Sequence, residues 1–115
     1  MIVLFTGSRR WDREEPVRKR LEELPAGSEV IHGAAKGLDM MVHRLCIEMN
    51  IKVHAFPAQW KKHGKAAGPI RDRQMLDEFP DLVIAFHENL SKSKGTIDTI
   101  NEAKRRNIEV EIYTV

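Results

Sequence analysis

The chain has few of the residues that mark disulfide-linked or membrane-spanning proteins. Cys46 is the only cysteine, so no disulfide can form within the chain, as is typical of a reducing cytosol. It lies between Leu45 and Ile47 on an apolar helical face, which predicts a buried thiol rather than a nucleophile. No apolar run approaches membrane-spanning length, and a first strand that begins at Ile2 leaves no room for a signal peptide. We therefore expect a small cytoplasmic protein with no membrane partner.

The chain also lacks a large excess of charge and a metal-binding pattern. Its 19 Lys and Arg residues against 17 Asp and Glu give a net charge of +2, which is too small to imply nucleic acid by itself. No metal is expected, because none of the five histidines shows metal-ligand spacing on one face: His32, His43, His54, His63 and His87. The length of 115 residues fits a single domain over residues 1–115.

Five apolar segments alternate with four helical patterns along the chain. The strands are expected at residues 2–5, 29–32, 52–56, 82–86 and 109–114. This alternation predicts an α/β fold, a Rossmann-like three-layer sandwich with a five-stranded parallel sheet and four helices. Segments 2–5 and 82–86 are apolar throughout and should be central, whereas the third and fifth strands alternate and should be edges. The order 3-2-1-4-5 satisfies these conditions.

Several residues predict where the helices begin and end. Asp12, with Glu15 three residues later, has the spacing of a capping box and is expected to cap the first helix. Asn50 is expected in the left-handed conformation after the second helix, and Asn107 repeats that turn. The third helix is expected to begin at Gly68-Pro69 and to turn Phe79 towards the core.

The strand order places a topological switch point between the first and fourth strands, and ligands bind there at the carboxyl ends. Loops 7–11, 33–37, 58–67 and 87–95 should lie along this edge. Nine Lys and Arg residues fall on or beside them: Arg9, Arg10, Lys36, Lys61, Lys62, Lys65, Arg71, Lys92 and Lys94. Few carboxylates join them, chiefly Asp12, Asp39, Asp72 and Glu88. A concave positive edge attracts anions, and we favour this interpretation over ordinary solvent-facing loops.

The strongest motif is Gly33-Ala34-Ala35-Lys36-Gly37-Leu38-Asp39. Small residues precede a helix N-terminus, which predicts backbone N–H groups that can approach a phosphate. Asp39 either accepts a ribose hydroxyl or complements the helix dipole, and the sequence favours neither. The conventional dinucleotide fingerprint G-x-G-x-x-G is absent after the first strand.

Three shorter signals are weaker on their own. Gly7-Ser8-Arg9 after a central strand offers backbone N–H groups and a guanidinium to a phosphate, although Gly-Ser is also common in turns. Gly95-Thr96 is either a further phosphate-binding helix N-terminus or an ordinary helix start. Trp60 in a basic loop either stacks on a base or anchors the loop on the core.

In their order and spacing, these segments resemble the SLOG superfamily, specifically its small YspA/YpsA-related branch. The resemblance covers nearly the whole chain and extends to Trp11-Asp12, Phe56-Pro57-Ala58-Gln59-Trp60, Ala67-Gly68-Pro69-Ile70-Arg71 and Met75. It implies a compact Rossmann-like fold that binds nucleotides or nucleotide-derived ligands. With Trp60 added, the implied ligand shell is Gly7, Ser8, Arg9, Arg10, Gly33, Ala34, Ala35, Lys36, Gly37, Asp39, Arg71, Gly95 and Thr96.

Two positions depart from the pattern of these relatives. Asp72 stands where members commonly have Asn after the arginine of the third helix, and a carboxylate there would pair with Arg71 or repel a phosphate. Relatives of the lonely-guy type cleave cytokinin riboside phosphates at the N-glycosidic bond and carry a glutamate three residues after the Gly-Thr threonine. That position is Thr99 here, preceded by Asp98. Glycosidase activity is therefore not carried over, and no catalytic residue is assigned.

Three functions follow as hypotheses. The favoured one is binding of a nucleotide or nucleotide-derived, phosphate-containing ligand, as a sensor or sequestering protein. The alternative is a hydrolase of an N-glycosidic or phosphoribosyl bond, with Asp98, Asp39 or Glu88 supplying the carboxylate, so enzymatic activity is left open. Nucleic-acid binding, as in the DNA-processing relatives of the superfamily, is least favoured because the net charge is modest and the edge has one tryptophan. A homodimer or higher homo-oligomer is a further expectation.

Overall fold

The computed structural model describes all 115 residues, and a five-stranded parallel sheet forms its central layer. The strands are β1 (Ile2–Gly7), β2 (Glu29–His32), β3 (Lys52–Ala55), β4 (Leu82–Phe86) and β5 (Glu109–Tyr113). Every neighbouring pair is parallel, and the order is β3-β2-β1-β4-β5. The predicted order is confirmed, with the alternating strands β3 and β5 at the edges.

The helices are α1 (Glu14–Glu22), α2 (Leu38–Glu48), α3 (Trp60–His63), α4 (Ala67–Leu76) and α5 (Gly95–Arg105). Four of them are the predicted crossover helices. The exception is α3, a single turn that leads into a 3₁₀ turn at Gly64–Ala66, so the segment expected to be irregular has local helical structure. None of the helices is both long enough and apolar enough to cross a membrane.

Two hydrophobic cores lie on opposite faces of the sheet, because successive strand residues point to opposite sides. The larger core joins one face of β1, β2 and β4 to α1 and α2, and includes Phe5, Leu45 and Phe86. The smaller core joins the other face to α4 and α5 through residues such as Leu4 and Leu76. Val3, Leu4 and Phe5 in β1 and all five residues of β4 are buried, so these segments need apolar residues at successive positions. That is the pattern that placed the two strands at the centre.

The helix-end predictions are confirmed in part. Asn50 and Asn107 have φ values of 57° and 59°, so both adopt the predicted left-handed conformation. Asp12 does not cap α1. The helix begins two residues later, after Arg13, whose carbonyl oxygen accepts a hydrogen bond of 2.7 Å from the buried Trp11 indole. Burial of that indole keeps the backbone non-helical through Arg13.

Phe79 does not face the core, contrary to the prediction. Its side chain is 83% exposed, and its φ is 55°. Helix α4 ends at Leu76, so the helical periodicity that placed Phe79 on the buried face no longer applies three residues later. Pro80 is buried in its place.

Candidate functional site

Loops from four parallel strands meet at the carboxyl edge of the sheet. They are residues 8–13 after β1, 33–37 after β2, 56–66 after β3 and 87–94 after β4. β1 and β4 are direct neighbours, and their pairing runs to Gly7 and Phe86 at this edge. The topological switch point therefore lies between the loops that follow β1 and β4.

Ser8 joins three of these segments. Its N–H donates to the carbonyl of Phe86 (2.9 Å), and its own carbonyl accepts from the N–H of Leu38 (3.0 Å) at the start of α2. The Ser8 hydroxyl accepts from the N–H of Arg10 (3.0 Å) and donates to Oε1 of Glu88 (2.6 Å). Because Ser8 is buried and these polar groups are all paired, it organises the edge instead of presenting a free hydroxyl.

Gly7 and Gly37 lie where the loops press against one another. A Cβ on Gly7 would collide with the carbonyl oxygen of Phe86, and one on Gly37 would collide with the backbone of Ser8 and Arg9. Gly37 also has a φ of 75°, which L side chains rarely adopt. Both glycines are therefore required for contact between loops, whatever ligand they also approach.

The Gly33–Asp39 loop binds the carboxylate of its own aspartate. Oδ2 of Asp39 accepts from the N–H groups of Gly33 (3.1 Å) and Ala35 (3.2 Å). To the two roles considered from the sequence, the structure adds a third: Asp39 occupies two donors that were expected to face a phosphate. The N–H groups of Lys36 and Gly37 donate to no acceptor in the chain and stay available.

Asp39 has an unusual environment for a carboxylate. Burial raises the pKa of Asp39 to about 6, although the hydrogen bonds from Ala35 and Gly33 and the charge of Arg71 oppose that rise. Its Oδ1 is buried and has no hydrogen-bond partner. An unpaired buried oxygen destabilises the ionised form, so Asp39 takes up a proton in mildly acidic solution.

His32 and His43 form a pair next to the same loop. The N–H of Ala34 donates to Nδ1 of His32 (2.9 Å), so the ring proton of His32 must be on Nε2. Nε2 lies 2.9 Å from Nδ1 of His43 and donates to it. Burial, assisted by the charges of His43 and Arg71, lowers the pKa of His32 to about 4. His32 is thus neutral near pH 7 and supports the loop from within the protein.

Arg71 reaches from α4 to the carboxyl ends of β2 and β3. Its Nη1 donates to the carbonyl of Gly33 and lies 3.5 Å from that of Phe56, and its Nε donates to Oδ1 of Asp72 (2.9 Å). The guanidinium lies so close to Gly33 that a Cβ at this position would displace it. Arg71 therefore links the loop after β2 to the loop after β3. Its Nη2 is the one guanidinium nitrogen without a partner in the chain, so it is the one left for a ligand.

The carboxylates near Arg71 do not form a catalytic group of the lonely-guy type. Asp72 pairs with Arg71, one of the two outcomes expected for a carboxylate at this position, and burial raises the pKa of Asp72. Thr99 is buried, and Asp98 is engaged by Arg73 at 3.1 Å. No group of three or more His, Cys, Asp or Glu side chains is placed to hold a metal ion.

The start of α5 lies on the other side of the switch point. Thr96 is buried, and its N–H donates to Oγ of Ser93 (3.0 Å). Gly95 is exposed, and no heavy atom lies within 4 Å of the position of a Cβ on it. The N–H groups of Gly95 and Ile97 have no acceptor in the chain. Gly95 therefore presents open backbone, whereas Thr96 packs inward.

Trp60 lies outside both hydrophobic cores. Its side chain is 53% exposed, and the tip of the indole lies 3.6 Å from the position of a Cβ on Gly68. The tip of the ring therefore lies against Gly68, and about half of the residue is exposed. Of the two roles predicted for Trp60, core anchoring is not the one adopted. Exposed lysines follow it at Lys61, Lys62 and Lys65.

The cations of this edge differ from those elsewhere on the surface in that most of them form no ion pair. Among the nine predicted edge cations, only Arg71 has a carboxylate partner. The other eight are exposed and form no ion pair: Arg9, Arg10, Lys36, Lys61, Lys62, Lys65, Lys92 and Lys94. Away from the edge, most cations are paired: Arg18, Arg20, Arg44, Lys52, Arg73, Arg105 and Arg106.

The structure brings most of the predicted residues together. Residues 7–10, 33–39 and Arg71 form one contiguous group, Gly95 and Thr96 follow the neighbouring strand β4, and Trp60 lies beyond β2 at the β3 end. Sequence reasoning missed the contact between Ser8 and Glu88, although the predicted order makes their loops neighbours. It also missed the pairing of His32 with His43, for which the sequence carries no signal.

The fold and site define a small Rossmann-type α/β protein with loops and helix N-termini gathered at a switch point. The model of the YspA, cpYpsA-related SLOG family matches residues 1–63, and the chain belongs to this family.

Two known proteins extend the comparison. The chain is 35% identical over 117 residues to the Gene 61 protein of Mycobacterium phage D29. This alignment covers 94% of this chain and 92% of the phage protein. It also resembles the X-ray structure of DNA processing protein A (DprA) from Streptococcus pneumoniae, with a TM-score of 0.79 and 20% identity. That match covers 96% of this chain but 49% of the DprA chain, and at this identity it shows the fold alone.

The contact between loops predicts unequal effects of alanine at two glycines. Gly37 and Gly27 both have positive φ, at 75° and 81°, but no atom lies within 4 Å of a Cβ on Gly27. We expect Gly27→Ala to lower the free energy of unfolding by roughly 1 kcal/mol and Gly37→Ala by about 3 kcal/mol or more. Urea unfolding measures both values, and equal losses would contradict the packing role of Gly37.

His32 and Asp39 predict opposing effects of pH on stability. The pKa of His32 is 6.5 in the unfolded chain and about 4 in the folded chain, so between these values only the unfolded chain takes up the proton. His32 therefore lowers the free energy of unfolding as the pH falls. Asp39 ionises near 3.8 when unfolded and near 6 when folded, so its contribution falls as pH rises between these values. The two contributions largely cancel between pH 4 and pH 6.

Asp39→Asn should reveal how the free energy of unfolding depends on pH through His32 alone. The amide oxygen can still accept from Gly33 and Ala35, but the opposing titration is removed. The free energy of unfolding of the variant should rise by about 2 kcal/mol more than that of the unmodified chain between pH 4 and pH 6. Urea unfolding at a series of pH values tests this, and parallel curves for the two proteins would show that Asp39 is not perturbed.

Proposed function

We propose that the chain binds a nucleotide or nucleotide-derived, phosphate-containing ligand at the carboxyl edge of the sheet, as a sensor or sequestering protein in the cytoplasm. The observation that carries the proposal is the coincidence of unpaired backbone donors and unpaired cations at one switch point. The single cysteine, which burial makes a poor nucleophile by raising its pKa to about 12, fits a reducing compartment.

The backbone donors support an anionic ligand on both sides of the switch point. Lys36 and Gly37 precede α2, and Gly95 and Ile97 open α5; their N–H groups have no acceptor in the chain. A helix N-terminus carries partial positive charge and favours an anion. A ligand with phosphate and sugar groups has enough acceptors to reach from one helix to the other.

The side chains at this edge support binding more than turnover. Asp39 is held by loop N–H groups and Asp98 by Arg73, so neither is free to act on a ligand. Glu88 is exposed but accepts the hydroxyl of Ser8, which lowers the pKa of Glu88 and keeps it ionised at neutral pH. A carboxylate in this state cannot serve as a general acid.

The contact between Ser8 and Glu88 also favours one alternative. An ionised carboxylate at the switch point has the charge needed to stabilise an oxocarbenium-like transition state, as in hydrolysis of an N-glycosidic bond. Of the three carboxylates considered for a hydrolase, Glu88 is the one that is both exposed and at the edge.

Thermal unfolding with a panel of nucleoside mono-, di- and triphosphates, NAD and ADP-ribose tests the binding function. A ligand at about 100 times its Kd should add roughly 2.7 kcal/mol of stability and raise Tm by about 10 °C. The double variant Arg10→Ala/Lys36→Ala should lose most of that shift. The matched control Lys19→Ala/Lys104→Ala removes two unpaired cations elsewhere and should keep it. A panel without any response would overturn the proposal.

Chromatography of the same nucleotides after long incubation at high protein concentration tests the alternative. We expect every nucleotide to be recovered intact, because the ionised Glu88 cannot act as a general acid. Release of free base that disappears in Glu88→Gln would establish the hydrolase instead, provided that the variant keeps the Tm of the unmodified chain.

A further inference from the structure

We propose that the carboxyl edge binds single-stranded nucleic acid, with the eight unpaired cations along its phosphates and Trp60 stacked on a base. This inference deepens the proposed nucleotide binding, because it uses the same edge but requires a ligand several nucleotides long. It concerns the parts of the edge that a single nucleotide leaves unused.

The number of free cations exceeds what one nucleotide can neutralise. Eight exposed Lys and Arg side chains at the edge form no ion pair. The carboxylates beside them are fewer, namely Asp12, Asp39, Asp72 and Glu88. Asp72 is paired with Arg71, whereas Glu88 accepts a hydrogen bond from a neutral hydroxyl and keeps its negative charge. Nine cations against four carboxylates still make this edge more positive than the net charge of +2 indicates.

The distribution of these cations calls for an extended ligand. Lys61, Lys62 and Lys65 follow β3, whereas Lys92 and Lys94 follow β4. Three strand spacings separate β3 from β4 in the sheet order, which amounts to about 14 Å. One phosphate group cannot contact both ends of this line, but the successive phosphates of a nucleic acid strand can.

Trp60 favours a single strand over other polyanions. The residue is 53% exposed, and the tip of its indole lies beside Gly68 near the start of α4, so an aromatic side chain with one local contact is open to a ligand. Stacking of a base on an aromatic ring requires a base that is not held in a duplex. An exposed tryptophan next to three lysines combines the stacking surface and the electrostatic attraction that single-strand binding uses.

Fluorescence anisotropy of labelled oligothymidylates of increasing length, over a range of salt concentrations, tests the proposal. We expect affinity to rise with length until the edge is filled, and to fall steeply with salt. Lys61→Ala/Lys62→Ala should make the slope of log K against log salt less steep by about 1.4, since each phosphate contact to a single strand contributes roughly 0.7. The matched control Lys19→Ala/Lys104→Ala should leave the slope unchanged.

A substitution at Trp60 separates stacking from charge. Trp60→Ala should weaken binding roughly 5- to 150-fold without changing the salt slope, and Trp60→Phe should retain most of the affinity. Quenching of tryptophan fluorescence on binding should come from Trp60, because Trp11 is buried. The Tm of each variant, measured without ligand, confirms that the chain is folded.

Several outcomes would overturn the inference. Oligothymidylates no tighter than thymidine monophosphate would refute it while leaving nucleotide binding intact. Equal affinity for inorganic polyphosphate, together with no effect of Trp60→Ala, would mean a polyanion site without base recognition. Tighter binding of duplex DNA would refute the single-strand assignment. Failure of every nucleotide and oligonucleotide to bind would refute both this inference and the proposed function.

Discussion

The edge of the sheet depends on the packing of three segments around Ser8. Its N–H and carbonyl tie the end of β1 to β4 and to the start of α2, and its hydroxyl links Arg10 to Glu88. Gly37 completes this contact, because its lack of a side chain lets the loop before α2 lie against the backbone of the loop after β1. The positions of the remaining edge residues follow from this junction.

A polar frame behind the junction uses many of the hydrogen-bonding groups of the edge. Asp39, His32 and Arg71 each bind backbone atoms of the loop after β2, so much of that loop is already satisfied within the protein. Buried polar groups are costly unless they are paired, and such pairing restricts the loop to one arrangement. What is left for a ligand is a smaller set than the motif alone indicates: the N–H groups of Lys36 and Gly37, those at the start of α5, and exposed cations.

The cations owe their importance to the absence of partners. Exposed ion pairs contribute little to stability, so the paired arginines elsewhere on the surface explain little about the fold. These arginines and their carboxylate partners cancel most of each other's charge away from the edge. The positive field is therefore concentrated where Lys61, Lys62 and the other unpaired side chains lie. A nearly neutral protein can therefore present a strongly basic surface, and Trp60 lies within it.

Three local signals were enough to predict the strand order and the edge that carries the loops. They are the continuous apolar runs at β1 and β4, the alternation at β3 and β5, and the helix ends at Asn50 and Asn107. These signals are local, since each depends on residues a few positions apart. Phe79 and Asp12 were misplaced because helix ends respond to packing that the sequence pattern does not contain. The structure alone decided which donors and cations remain unpaired. Ser8 meets Glu88 across 80 positions and Arg71 meets Gly33 across 38, so the availability of each group depends on partners that only folding brings within reach.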